Sequence, residues 1–208
     1  MADGLASMEV FAARLLHDVA GSIGSVVSLV ECFLEDPECD DMKGQLEEAV
    51  DGMISRFRLV RQAYCSSEDN SSFCSTQRHI EKYLKKRGLC LVEWNIAAQF
   101  ADADMVERVN RLVIQAVLFS AMVMVQGTGL SVSVCRTDDT VHIQLKLCAA
   151  EVSVHRDVER MLSREEGCEL TTHNVQAYFL TLLCKEYGAT FRYSTESALV
   201  EVHLPAVA

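Results

Sequence analysis

The chain has 208 residues, of which 50% are hydrophobic and 24% are charged, as in a globular protein with a sizeable core. Its net charge of −11 and its lack of a basic patch argue against nucleic acid as a partner. The nine cysteines show no metal-ligand spacing. They predict reduced, mostly buried thiols in a cytoplasmic protein, with no metal and no cofactor. No membrane span is predicted, because the longest apolar stretch, residues 112–125, is too short to cross a bilayer.

The first predicted element is a long helix over residues 7–34, which contain no proline and carry apolar residues every three or four positions. At about 100° per residue, one set of apolar side chains lies opposite His17. Its members are Met8, Leu15, Val19, Val26 and Phe33. We interpret this set as the buried face of the helix, which places His17 in solvent.

The face that carries His17 is unusually poor in large side chains. Its other members are Ala13, Arg14, Ala20, Gly21, Gly24 and Ser28. A solvent-facing helix surface normally carries long charged residues. This pattern predicts a surface on which another protein approaches His17 closely.

A second helix is predicted after a break at residues 36–38 that contains Pro37. Asp40 or Asp41 can cap this helix, and its apolar residues run from Met42 to Tyr64. Its apolar residues also follow the helical period, among them Leu46, Met53, Phe57 and Val60. Two amphipathic helices leave apolar surface uncovered as an isolated pair. We therefore expect a homodimer in which two hairpins form a four-helix bundle.

The polar, serine-rich segment 68–76 predicts a linker between a hairpin domain, residues 1–67, and a second domain, residues 77–208. The second domain is predicted to be α+β, with a sheet covered on one face by helices. The predicted helices are 77–87, 104–126, 155–163 and 172–187. The last of these ends at Gly188. The predicted strands are 89–96, 130–136, 141–148, 190–194 and 199–204.

Three segments carry a resemblance to a known family. Ala13-Arg14-Leu15-Leu16-His17-Asp18 resembles the H-box of two-component histidine kinases, in which an exposed histidine followed by an acidic residue accepts phosphate. Together with residues 56–61 and with Asn174-Val175-Gln176-x-Tyr178, this box is similar to ChpT-type bacterial histidine phosphotransferases. The resemblance implies a dimeric helical hairpin followed by an α/β sandwich like the ATPase domain of histidine kinases.

The sequence departs from the kinases at the positions that bind nucleotide. Segment 111–120 has no asparagine, and segment 149–153 lacks the glycines of an Asp-x-Gly-x-Gly turn. Gly127-Thr128-Gly129 alone is weak evidence of phosphate binding. Ser22 also replaces the proline that many kinases carry five residues after the histidine. The resemblance therefore implies a degenerate ATPase-like domain and phosphotransfer without ATP.

The resemblance implies that His17 takes a phosphoryl group from the aspartate of a receiver domain. The expected partners are receivers of response regulators and of a hybrid histidine kinase. Asp18 either orients the His17 ring or accepts its proton, or is an ordinary surface acid. Arg14 either neutralises the phosphoryl group or partner acids, or is a solvated side chain.

Arg56, Arg58 and Arg61 either help an acidic receiver to dock or form a solvent-exposed helix face. Among the other histidines, the sequence favours structural roles for three and assigns no role to two. The first group is His142, His155 and His203, and the second is His79 and His173. Two alternative functions remain open from sequence: a scaffold that binds receivers without transferring phosphate, and an ATP-dependent kinase with a divergent site.

Overall fold

The computed structural model describes residues 2–36, 40–100, 102–163, 165 and 167–206, without the side chains of residues 2, 3, 18 and 40. The predicted break at Pro37 lies outside these residues. The N-terminal part is a helical hairpin of α1, Ala2–Glu35, and α2, Asp40–Tyr64. No described side chain of α1 is buried, whereas α2 buries several side chains near its C-terminal end. The hairpin therefore joins the rest of the protein mainly through the end of α2.

The remaining elements follow the predicted order. They are α3 Phe73–Lys86, β1 Cys90–Ile96, α4 Ala103–Val123, β2 Met124–Thr137, β3 Thr140–Val152, α5 Arg156–Leu162, α6 Val175–Tyr187, β4 Thr190–Ser194 and β5 Leu199–Pro205. Gly188 ends α6 in the left-handed conformation, as predicted. Strands β2 and β3 are longer than predicted, because residues 124–129 and 149–152 pair with each other beyond the expected hairpin.

The five strands form one sheet in the order β1-β2-β3-β5-β4, with β1 parallel to β2 and the other pairs antiparallel. Alternation along β3 separates the two faces of the sheet. Val141, Ile143 and Leu145 are fully buried, whereas Gln144 and Lys146 are exposed. The helices thus cover one face and solvent covers the other, as expected for a mostly antiparallel sheet with alternating side chains.

Helix α4 lies at the centre of the core. Twelve of its residues are buried, including Phe119, whose ring packs edge-on against Phe191 of β4 at 5.1 Å between centroids. At the edge of the sheet, a Cβ at Gly129 would lie 2.4 Å from the Cys90 carbonyl oxygen. Glycine is therefore required there for β1 to approach β2, and this packing role accounts for Gly129 without a phosphate.

The segment predicted as a linker is an ordered joint. Residues Glu68–Ser71 form a 3-10 turn, and Asn70 and Thr76 are fully buried. The Asn70 amide donates to the carbonyls of Gln62 and Cys65, at 3.3 and 3.2 Å, while Asn110 of α4 donates to the Asn70 carbonyl at 2.7 Å. The last carbonyls of a helix lack partners within the helix. The polar composition of this segment therefore serves to bind the end of α2.

The prediction of mostly buried cysteines is wrong. Five described cysteines are exposed and only Cys184 is buried. Cys135 shows the reason, because it lies in an apolar strand but on the solvent face of the sheet, opposite His142. An apolar neighbourhood in sequence does not determine which face of a strand a residue occupies.

Candidate functional site

His17 lies in the first half of α1, and its side chain is exposed. The small residues predicted to surround it are exposed as well: Ala13, Ala20, Gly21, Gly24 and Ser28. A Cβ at Gly21 or Gly24 would meet no atom within 4 Å. The structure therefore has a low, open surface beside the imidazole.

The neighbours of His17 differ in how they are held. Arg14 is half-buried, and its Nη1 donates to the carbonyl oxygen of Thr172 at 3.3 Å. Thr172 belongs to the loop before α6, so this bond joins the turn before His17 to the second domain. Asp18 follows His17 in α1, but its side chain lies outside the described part of the chain. Its predicted role remains a prediction.

The apolar stripe expected to need a partner is not the stripe that the structure exposes. Met8, which was assigned to the buried face, is 64% exposed, whereas Leu15, Val19, Val26 and Phe33 are half-buried in the monomer. A different stripe of α1 faces solvent: Leu16, Ile23, Val27, Val30 and Leu34. We call these five residues the exposed stripe. Helix α1 has apolar residues on two faces, and α2 covers only one of them.

Helix α2 adds two side chains to the uncovered apolar surface, Ile54 and Phe57. Phe57 was assigned to the apolar stripe of α2, and it is 54% exposed, while Leu46, Met53 and Val60 are half-buried. Since the exposed stripe makes α1 apolar, Gly4–Glu35 also has the length and mean hydropathy, 1.3, of a membrane-crossing helix. Core helices of soluble proteins meet the same criterion, so this finding is weak evidence for a membrane.

The three arginines of α2 do not act as one group. Arg56 is half-buried, with its guanidinium 5.9 Å from the ring centroid of Tyr83. Arg61 forms an ion pair with Asp69, and Arg58 is exposed. The arginine run therefore does not form one continuous docking surface.

The structure brings Arg14 and Arg56 to one cavity of about 60 Å³ between the hairpin and the second domain. Arg87, Tyr83 and Gln176 also line it. Arg87 donates to the Tyr83 hydroxyl at 3.3 Å, and its guanidinium lies 5.7 Å from the ring centroid. Sequence reasoning missed Arg87 and Tyr83, because their relation to α1 depends on the packing of α3 against the hairpin.

His79 of α3, to which the sequence assigned no role, lies beside the joint and against the end of α2. It is buried, and its Nδ1 is 2.7 Å from Oε1 of Gln62. The Gln62 amide in turn donates to the Asp69 carbonyl at 2.7 Å. Burial lowers the pKa of His79, an effect that the negative charge of Asp69 partly opposes. The fold therefore favours the neutral imidazole.

His142 and His203, predicted to be structural, face each other across β3 and β5, with ring centroids 4.9 Å apart. His155 caps α5, where its ring nitrogen accepts from the Asp157 amide. Within the described residues, no group of three or more His, Cys, Asp or Glu side chains is arranged to hold a metal ion.

The family profile of the histidine phosphotransferase C-terminal domain matches residues 75–198, which is more than half of the chain. The chain therefore belongs to the histidine phosphotransferase family, and the resemblance to the ChpT-type members is confirmed. Its general function is phosphotransfer in signal transduction.

A solved structure agrees with this fold. A bacterial phosphotransferase structure is similar to this chain with a TM-score of 0.76 and 17% identity, over 96% of this chain and 95% of the other. A blue-light activated histidine kinase from Erythrobacter litoralis is less similar, with a TM-score of 0.47 and 11% identity. That match spans 94% of this chain and 62% of the kinase chain. No curated protein sequence matches the chain.

Proposed function

We propose that this protein relays a phosphoryl group between receiver domains through His17. The observation that carries the proposal is the exposed imidazole on a helix face of small, exposed residues, in a chain of the histidine phosphotransferase family. A receiver presents its phosphoaspartate in a shallow site, so the acceptor needs a surface that allows close approach. Large side chains at positions 21 or 24 would prevent that approach.

In the proposed reaction, an unprotonated ring nitrogen of His17 attacks the phosphorus of the aspartyl phosphate. The N–P bond forms as the P–O bond to the aspartyl carboxylate breaks, and the carboxylate leaves with the electron pair. The second ring nitrogen then releases its proton, to Asp18 or to water. Transfer to the next receiver runs the same step in reverse, and any metal ion belongs to the receivers.

Arg14 supports this chemistry by its position one helical turn before His17. Its guanidinium carries a permanent positive charge, which stabilises the negative charge of the phosphoryl group during transfer. The bond to the Thr172 carbonyl limits where the guanidinium lies. Arg56 and Arg87 add positive charge at the neighbouring cavity, which favours the approach of an acidic receiver.

The acceptor assignment is tested by incubating the protein with a phosphorylated receiver and mapping acid-labile label. We expect label on wild type and none on His17→Ala, which should keep its fold. His173→Ala is the matched control, since His173 is also exposed but lies in the second domain. Labelled His17→Ala would contradict the assignment. Receiver binding without label would favour the scaffold, and label from ATP alone would favour the kinase.

We further propose that the second domain does not use ATP. In addition to the missing sequence elements, Asn110 is occupied in the joint, and α4 is tied to α6 by a bond from Gln176 to Gln115. These contacts engage side chains of α4, the counterpart of the helix whose residues bind nucleotide in the kinases. Calorimetry with magnesium and ATP should show no saturable heat at millimolar concentration, and a measurable heat would overturn this proposal.

The protein is also proposed to be a homodimer. The exposed stripe and its two neighbours on α2 supply the apolar surface, and a second hairpin offers the same surface in return. We also propose a cytoplasmic location, which is consistent with the partner hairpin, and not lipid, covering α1. Light scattering should give twice the chain mass. A monomer that binds vesicles of neutral phospholipid would contradict both statements.

A further inference from the structure

One chain of hydrogen bonds begins and ends on neighbouring residues of α2. The Tyr64 hydroxyl donates to Oε1 of Gln176, whose amide donates to Oε1 of Gln115. The Gln115 amide then donates to the Ala63 carbonyl at 2.8 Å. Gln115 and Gln176 are buried. Leaving a buried donor or acceptor without a partner costs about 1–3 kcal/mol. This series of hydrogen bonds therefore fixes how α4 and α6 lie against the end of α2.

An aromatic cluster extends that arrangement to α1. The Tyr64 ring packs edge-on against Phe11 of α1 and Phe179 of α6, with centroids 4.8 and 4.9 Å apart. Phe11 and Phe179 stack on each other at 5.3 Å. The same hydroxyl that enters the hydrogen-bond chain therefore belongs to a ring in contact with α1.

The contacts between α1 and the second domain lie just before the phosphoacceptor. Phe11 is in the cluster, Arg14 donates to Thr172, and His17 follows one turn later. The Thr172 loop is itself held by Asn174, which accepts from the Thr171 amide at 2.8 Å and donates to the Glu169 carbonyl at 2.9 Å. Helix α1 packs along α2, and these contacts add a link between the second domain and the turn of α1 just before His17.

We propose that Gln176 is a positioning residue for phosphotransfer: through Tyr64 and Phe11, it holds the turn of α1 that carries Arg14 and His17. The inference rests on the proposed relay through His17. It gives the second domain a role in transfer that requires no nucleotide. In-line attack on phosphorus depends on alignment, and a displacement of about 1 Å can slow such a reaction by about 10²-fold.

The test compares Gln176→Leu and Tyr64→Phe with wild type. Gln176→Leu removes both bonds of the central amide, whereas Tyr64→Phe keeps the aromatic ring and removes only the hydroxyl. Gln144→Leu is the matched control, because Gln144 is exposed on the solvent face of the sheet. The rate of transfer from a phosphorylated receiver is measured in single turnover at saturating receiver, together with the receiver Kd.

We expect Gln176→Leu to slow transfer by about 10²-fold, with Tyr64→Phe changed less in the same direction and Gln144→Leu unchanged. The receiver Kd should stay constant, since the small residues beside His17 and the arginines are unaltered. Phosphoramidate, a small donor that needs no docked receiver, should label His17 at the wild-type rate in every variant. Loss of fold is checked separately by circular dichroism, because phosphoramidate also reacts with an accessible imidazole in an unfolded chain.

Wild-type transfer rates in both variants would overturn the inference, as would equal losses with the receiver and with phosphoramidate. Tyr64→Phe keeps the test valid if Gln176→Leu unfolds, because it leaves the cluster of rings in place. Failure of the relay itself would appear differently. Wild type would then take no label from the receiver, whatever residue stands at position 176.

Discussion

Helices α1 and α4 are both long and apolar, yet α4 buries twelve residues and no described side chain of α1 is buried. Helix α4 packs against the sheet and against α2, α3 and α6, whereas α1 lies against α2 and contacts α6 near one end. Apolar composition therefore has two different consequences in one molecule. In α4 it stabilises the core, and in α1 it leaves an apolar surface exposed to solvent.

The largest effect is expected for Val27→Glu in the exposed stripe. A buried, unpaired carboxylate is strongly unfavourable, so we expect the proposed dimer to dissociate to monomers in light scattering. Ser28→Glu is the matched control, since Ser28 is exposed on the small-residue face about 100° away around the helix. A Val27→Glu dimer as stable as wild type would show that the exposed stripe is not the interface.

The next effect concerns the core around α4. Phe119→Ala removes a fully buried ring and should lower the free energy of unfolding by about 3–5 kcal/mol. Trp94, the single tryptophan, lies in β1 and reports unfolding of the second domain by fluorescence in urea. Met8→Ala, at a position of α1 that is 64% exposed and outside the exposed stripe, should leave that transition unchanged. Equal losses in the free energy of unfolding from both variants would mean that α1 and α4 do not differ in burial.

A smaller change in stability is expected for Gly24→Arg on the small-residue face. Arginine is the better helix former, so the variant should be more stable by up to about 1 kcal/mol. It should nevertheless lose transfer from receivers by steric block. Gly44→Arg is the control, because Gly44 is also an open, exposed helical position but lies on α2 near the hairpin turn. Full transfer by a stable Gly24→Arg protein would refute the docking surface.

The smallest effect is a pH dependence at the joint. Burial lowers the pKa of His79, with Arg58, Arg78 and Lys82 acting in the same direction and Asp69 opposing. The contribution of His79 to the free energy of unfolding should therefore be fully present above the ordinary histidine pKa of about 6.5. It should fall as the pH drops from there towards the lowered pKa, because the unfolded chain binds the proton first. His79→Gln should flatten this slope in urea unfolding, while His173→Gln, at an exposed position, should keep it.

Much of the fold was accessible from local pattern. The hairpin, the order of the later elements and the Gly188 cap follow from helical and strand periods and from chain breakers. The exposed face of His17 and its small neighbours follow from the same period. The prediction failed where residues distant in the chain decide the outcome, as at Asn70 and Thr76, whose polarity indicated a loop but serves buried hydrogen bonds.

The sequence by itself determined that His17 lies on an open helix face beside Arg14, since neighbours on one helix are set by a fixed rotation per residue. The tertiary structure alone decided which apolar face of α1 is covered, that His79 is buried, and that Gln176 bonds to Tyr64, 112 positions away along the chain. The physical reason is that periodicity orders residues within an element. Burial and long-range hydrogen bonds depend on which elements meet, and that is fixed only when the whole chain has packed.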